Sequence, residues 1–141
     1  MASNEILVAK INNGKNIAFR ELYGNDQHQL ELNASRYINL LNKFNEVYGL
    51  PDPQFFTSPG RTEIGGNHTD HNNGRVLAGA VNMDNVSVVA KNNSNKIRIL
   101  SEGYPKFEVD LLSLKPDVQE KFTSAALIRG ICSKFKELGF E

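Results

Sequence analysis

Between Ser58 and Leu77 the chain reads Ser-Pro-Gly-Arg-Thr-Glu-Ile-Gly-Gly-Asn-His-Thr-Asp-His-Asn-Asn-Gly-Arg-Val-Leu, and no other stretch constrains its folding and chemistry as much. Gly60, Gly65, Gly66 and Gly74, with Pro59, permit left-handed backbone and let the main chain come close to a ligand. The side chains on offer are a guanidinium (Arg61), an amide (Asn67), two imidazoles (His68 and His71), a hydroxyl (Thr69) and a carboxylate (Asp70). Asp and Asn can each meet two hydroxyls, and Arg presents a rigid fork of donors to oxyanions. The inventory therefore suits a polyhydroxylated or phosphorylated small molecule.

Three other readings compete. His68 and His71 flank Asp70 at a spacing that admits a metal, but the chain has one further histidine, His28, and one cysteine, Cys132, so no metal is expected. Asn67-His68-Thr69 matches the glycosylation acceptor pattern, as do Asn33-Ala34-Ser35, Asn85-Val86-Ser87 and Asn92-Asn93-Ser94; an Asn-rich chain makes such matches by chance. The plainest alternative is a turn whose polar groups satisfy one another.

A chain of 141 residues can bury one ordinary core, as one domain or part of one. Sixteen Lys and Arg balance sixteen Asp and Glu, with no long basic stripe to argue for nucleic acid. No apolar run approaches the roughly 18 residues of a membrane span, and Ile6-Leu7-Val8-Ala9 is too short for the core of a signal peptide. A single cysteine rules out an internal disulfide. Together these imply a cytoplasmic protein without a membrane or nucleic-acid partner.

Along the chain, Asn12-Asn13-Gly14 signals a turn and Ala18–Tyr23 a short helix ended by Gly24, in an arm over residues 1–34 that is expected to pack on the surface. Tyr37, Ile38, Leu40, Leu41, Phe44, Val47 and Tyr48 recur at helical spacing from Ser35 onward, with Asn33 or Ser35 as cap and Gly49 and Pro51 as the stop; the stripe reads as core. Gln54–Ser58 reads as a strand entering the loop. Val76–Val81 reads as a strand covered on both faces, and Met83-Asp84-Asn85 as a turn into a further strand, Val86–Ala90. Ile97 and Ile99, and then Phe107, Val109 and Leu111, alternate with charged residues as half-buried strands separated by Gly103-Tyr104-Pro105. Lys91, Lys96, Arg98 and Lys106 read as a solvated face. Asp117 with Glu120 reads as a capping box opening a helix whose apolar face holds Phe122, Ala125, Ile128, Ile131, Cys132, Phe135 and Leu138, with Gly139 as terminator. Cys132 is expected to be a buried small hydrophobe. This order of elements argues for an α+β fold: a mixed, largely antiparallel sheet packed against helices.

The run Pro59-Gly60-Arg61, then Gly66-x-His68-Thr69-Asp70, then Asn72-x-Gly74 and apolar residues from Val76, resembles the signature near the N-terminus of galactokinases, in the GHMP superfamily of small-molecule kinases. A match over some twenty consecutive positions is far more specific than a lone Gly-rich motif. Galactokinases usually carry Glu immediately before His-Thr-Asp, where this chain has Asn67, an amide without charge. The resemblance implies the N-terminal portion of a galactokinase. Residues 35–141 would then be a partial GHMP-type sugar-binding domain, incomplete at its C-terminal side and able to self-associate through that face.

The activity implied is transfer of the γ-phosphoryl group of Mg-ATP to the anomeric hydroxyl of galactose. Galactose and ATP are the implied partners. Arg61 matches the family's transition-state stabiliser beside the catalytic Asp, and Asn67, His68, Thr69 and Asp70 match its sugar-binding segment. The family's phosphate-binding loop, of Gly-Leu-Ser-Ser-Ser type, has no counterpart in these residues, so the main site for ATP and Mg2+ is expected beyond Glu141 and the chain alone is expected to be inactive. The alternatives are a related sugar kinase or sugar-responsive regulator with altered specificity, as Asn67 permits, and a non-catalytic binding or assembly module.

Overall fold

The computed structural model describes residues 8, 9, 11, 17–66 and 69–140; the turn expected at Asn12-Asn13-Gly14 lies outside them. The chain falls into two compact units, residues 1–92 and 93–141.

The first unit begins with helix α1 (Ile17–Tyr23) and helix α2 (Gln27–Val47). Asp26 caps α2 by accepting the Gln29 amide at 2.8 Å, so the helix starts well before the expected cap at Asn33 or Ser35. The reason lies in Leu30 and Ala34, which extend the apolar stripe of Tyr37, Leu41 and Phe44 back by two turns. Gly49 follows the helix end in the left-handed conformation, as its position suggests. Phe19 of α1 is buried with Ile11, Leu30 and Tyr37, and the rings of Phe19, Tyr23 and Tyr37 meet edge to face at 4.9–6.1 Å. α1 thus contributes to the core and does not merely lie on its surface.

Strands β1 (Gln54–Gly65) and β2 (Leu77–Val89) form one antiparallel pair. Two expectations change here. β1 continues through Pro59-Gly60-Arg61 up to Gly65, and β2 runs without a break through Met83-Asp84-Asn85, where a turn was expected. Asp is a turn residue when its carboxylate bonds its own backbone. Asp84 instead points its carboxylate at donors from other elements, which removes the reason to turn. Tyr37 packs on Phe55 at 4.8 Å between ring centres, with Val86 beside them, so one face of the pair is covered by helices. The other face is open: Phe56 and Val89 are exposed, and Leu77, expected to be covered on both sides, is 61% exposed.

The second unit holds β3 (Lys96–Ile99) and β4 (Phe107–Asp110), an antiparallel pair in register Ile97 to Val109 and Ile99 to Phe107, with Val109 fully buried. The expected alternation holds, and Lys96 and Arg98 share Glu108 at 3.2 and 3.0 Å on the solvated face. Helix α3 (Ser124–Glu137) is capped by the Thr123 hydroxyl. The expected capping box serves another purpose, since Asp117 caps only a single 3-10 turn, Val118–Glu120, and Glu120 binds Arg129. Phe122 precedes the helix at positive φ and is 94% exposed, while Ile131, Phe135 and Leu138 are also exposed and Cys132 is half-buried. The fold is α+β, with its described strands in two antiparallel two-stranded sheets. Among the described residues no helix is long and apolar enough to cross a membrane.

Candidate functional site

The motif is built on the β1–β2 hairpin. From Gln54–Val89 to Pro59–Asp84 the register is regular; it then shifts, and Arg61 faces Ala80. Three residues of β2, Val81 to Met83, therefore stand against Gly60 alone. This bulge explains the glycine: a Cβ there would lie 3.1 Å from both the Met83 carbonyl oxygen and Val81 Cγ2. Arg61 is the first paired residue after the bulge. It is exposed, and its side chain has no hydrogen-bond or ion-pair partner among the described residues.

The connection between the strands closes at its neck. Gly66, at φ +80°, lies against the backbone of Arg75 and Val76. Inside the loop the Thr69 carbonyl accepts the amides of Asn72 (3.1 Å) and Gly74 (2.8 Å), and the Thr69 hydroxyl donates to the Gly66 carbonyl at 2.8 Å. Asp70–Asn72 is a 3-10 turn and Asn73 is left-handed. Thr69 is thus the internal staple of the loop, with its hydroxyl proton committed and its oxygen still able to accept. His71 is exposed beside the Asn72 amide. Asn67 and His68 lie outside the described residues, and Asp70 is placed by its backbone only. The hairpin therefore carries Arg61 on its strand and Thr69 and Asp70 in its loop. Among the described residues no group of three or more His, Cys, Asp or Glu is arranged to hold a metal ion.

Sequence reasoning missed the polar centre on the covered face. Asp84 Oδ2 accepts the hydroxyls of Tyr23 (2.6 Å) and Thr57 (2.5 Å), Asp84 Oδ1 accepts Arg36 Nη1, and Arg36 Nη2 donates to the Asp84 carbonyl at 2.8 Å. Tyr23 and Tyr37 hydroxyls are 2.8 Å apart, completing the chain of bonds. Burial pushes the Asp84 carboxyl up, but hydrogen bonds from Thr57, Tyr23 and Arg36 outweigh it and hold the group below its ordinary value. Burial, then the bond to Asp84, raises the Tyr23 hydroxyl. The donors lie 27 to 61 residues away from Asp84 in sequence, so no local pattern announces them.

A second, open groove of about 490 Å³ lies in the 93–141 unit, lined by Asp110, Ser113, Lys115, Asp117 and Arg129 among others. Arg129 is largely engaged there: Nε and Nη2 donate to Glu120 at 2.7 and 2.6 Å, and Nη1 to the carbonyls of Ser113 and Asp110. It is a structural clamp, with four of its five N–H donors already committed.

The family model described as the galactokinase galactose-binding signature matches residues 42–91, which include the whole hairpin. A galactokinase of Lactococcus lactis subsp. cremoris is 31% identical over 105 residues, 72% of this chain and 26% of that protein. Galactokinases of Candida parapsilosis (38% over 90 residues, 63% of this chain and 17% of the relative) and Schizosaccharomyces pombe (35% over 85 residues, 60% and 16%) match in the same way. The chain spans about a quarter or less of the length of these curated relatives. No solved structure matches it. The chain is thus related to the galactokinases and carries their galactose-binding signature on the β1–β2 hairpin.

Proposed function

We propose that this chain is the sugar-facing portion of a galactokinase-type kinase, which phosphorylates the anomeric hydroxyl of galactose with ATP. The observation that carries the reading is the coincidence of the galactose-binding signature with a hairpin whose loop is closed by its own backbone. The backbone bonds of Thr69 to Gly66, Asn72 and Gly74 hold the described part of the loop, and preorganised backbone favours affinity.

In this reading Asp70 and His68 bind sugar hydroxyls, Thr69 offers an acceptor, and Asn67 contributes a neutral amide where galactokinases usually have Glu. The Arg61 side chain, without a partner among the described residues, is available to stabilise the charge that develops on the transferring phosphoryl group. ATP with Mg2+ supplies that group. The sequence holds no loop of the Gly-Leu-Ser-Ser-Ser type, so in this reading the chain on its own recognises the sugar without transferring the phosphoryl group. The setting is cytoplasmic.

Asn67 favours one second reading, a related sugar kinase or sugar-responsive regulator with altered specificity; sugar-dependent ATP turnover by a protein carrying the remaining kinase would separate the two. The primary test is a ligand-observed NMR titration of this chain with galactose, with glucose as the epimeric control. Selective binding of galactose is the expected result. Equal binding of both sugars, or of neither, would count against galactose recognition by this hairpin.

A further inference from the structure

We infer that Asp84 is a positioning residue for Arg61: it anchors the bulge that sets the register of β1 against β2, and so determines where Arg61 stands on the hairpin. The inference rests on the proposed role of Arg61 for its functional consequence, but its structural content is independent of it.

Asp84 is the last residue of β2 in the regular register, paired with Pro59; the next pair past the bulge is Arg61 with Ala80. A bulge is an extra length of chain that the strand could expel by sliding. Extending the regular register past Pro59 would set Arg61 against Asn82, two residues along, or roughly 7 Å at ordinary strand rise. The side chain of Arg61 would keep its face and lose its place relative to the loop neck at Gly66 and Arg75.

The bulged segment itself does little to resist that slide, which from the other side is opposed by the closed loop neck at Gly66. Val81, Asn82 and Met83 have no partner across from them except Gly60, and Met83 is 73% exposed. What holds the far end of the bulge is Asp84, whose side chain is 10% exposed and fixed from three elements at once: Tyr23 of α1, Arg36 of α2 and Thr57 of β1. Arg36 grips both the carboxylate and the main-chain carbonyl, so the backbone at the bulge is held as well as the side chain. Thr57 sits two residues before Pro59 on the partner strand, which ties the two strands to each other at the required offset. Helices that otherwise only cover the sheet thereby fix the position of a residue on the motif.

The test is Asp84→Leu in this chain, which keeps the branched heavy-atom shape and removes every side-chain acceptor, compared with Leu41→Ala, which weakens the core without touching the bulge. Cross-strand nuclear Overhauser contacts of Arg61 report the register directly. The expected result is loss of the Arg61 to Ala80 contact in Asp84→Leu and its retention in Leu41→Ala. An Arg61 to Ala80 contact that persists in a folded Asp84→Leu overturns the inference, whatever galactose does. Should Asp84→Leu fail to fold, Thr57→Val with Tyr23→Phe withdraws the two hydroxyl donors from the same carboxylate and is judged by the same contact. Failure of the unaltered chain to bind galactose would instead defeat the proposed function and leave the register result to stand or fall alone.

Discussion

Gly66 and Arg75 close the motif loop by direct backbone apposition: a Cβ on Gly66 would overlap the Arg75 carbonyl oxygen and stand 2.9 Å from the Val76 Cα, and Gly66 is at φ +80° besides. Gly66→Ala should therefore destabilise the chain by about 2 kcal/mol or more, from backbone strain together with a forced opening of the neck. Gly74→Ala should act in the same direction, since its Cβ would lie 2.6 Å from the Thr69 carbonyl oxygen. Chemical denaturation measures both, and a loss below the scatter of surface substitutions would contradict the closed neck.

The Arg61 side chain is exposed and without a partner among the described residues, so its removal should leave the fold almost untouched. Arg61→Ala should change stability by no more than about 0.5 kcal/mol. In a protein carrying the complete kinase the same substitution should lower kcat about 10²-fold or more, as loss of a transition-state charge partner does. A large stability loss with normal turnover would reverse the assignment.

The pH dependence of stability follows from the polar centre. The folded-state value of Asp84 lies below its ordinary 3.8, so the carboxylate contributes stability that is present above about pH 4 and is lost as the pH falls through the folded value. Denaturation midpoints should drop on acidification below about pH 4, and Asp84→Asn should flatten part of that drop. Glu108 and Glu120, lowered by Lys96 and Arg129 respectively, leave a residual slope in the same direction.

Tyr23 is the alkaline counterpart. Its hydroxyl is raised above 10.0 by burial and by donation to Asp84, so its contribution is present below about pH 10 and is lost as the pH rises further. Tyr23→Phe should abolish that alkaline loss and remove the late-titrating part of the tyrosinate absorbance.

Leu41 is 1% exposed at the centre of the α2 stripe. Leu41→Ala should cost about 2–5 kcal/mol, the transfer term plus the cavity. Circular dichroism during thermal unfolding should register it as a clear fall in Tm.

Much of this architecture was readable before any coordinates. The 3.6-residue stripe from Tyr37 to Phe44 named the core face of α2, and the alternation of Ile97, Ile99, Phe107 and Val109 named the buried side of β3 and β4. Helix ends at Gly49 and Gly139 were visible too, because a glycine past the last apolar residue is a local signal. The start of α2 is harder to read because Leu30 stands among mostly polar residues, whose side chains bond along the helix, as Gln27 does to Glu31 at 2.8 Å and Asn33 to the Gln29 carbonyl at 3.0 Å. The start of α3 is not legible locally because Asp117 and Glu120 imitate a capping box while Glu120 serves Arg129.

The candidate site divides in the same manner. Its residue types and their order, from Pro59 to Gly74, belong to the sequence itself, as does the likeness to a family that recognises galactose, since a motif is a run of neighbours along the chain. The single long β2 strand, the bulge over Gly60, the closed neck at Gly66 and the convergence of Tyr23, Arg36 and Thr57 on Asp84 were decided only by the tertiary structure. The physical reason is range: propensity and periodicity act between near neighbours, whereas a carboxylate that prefers distant donors to its own turn can be recognised only once the chain has brought those donors to it.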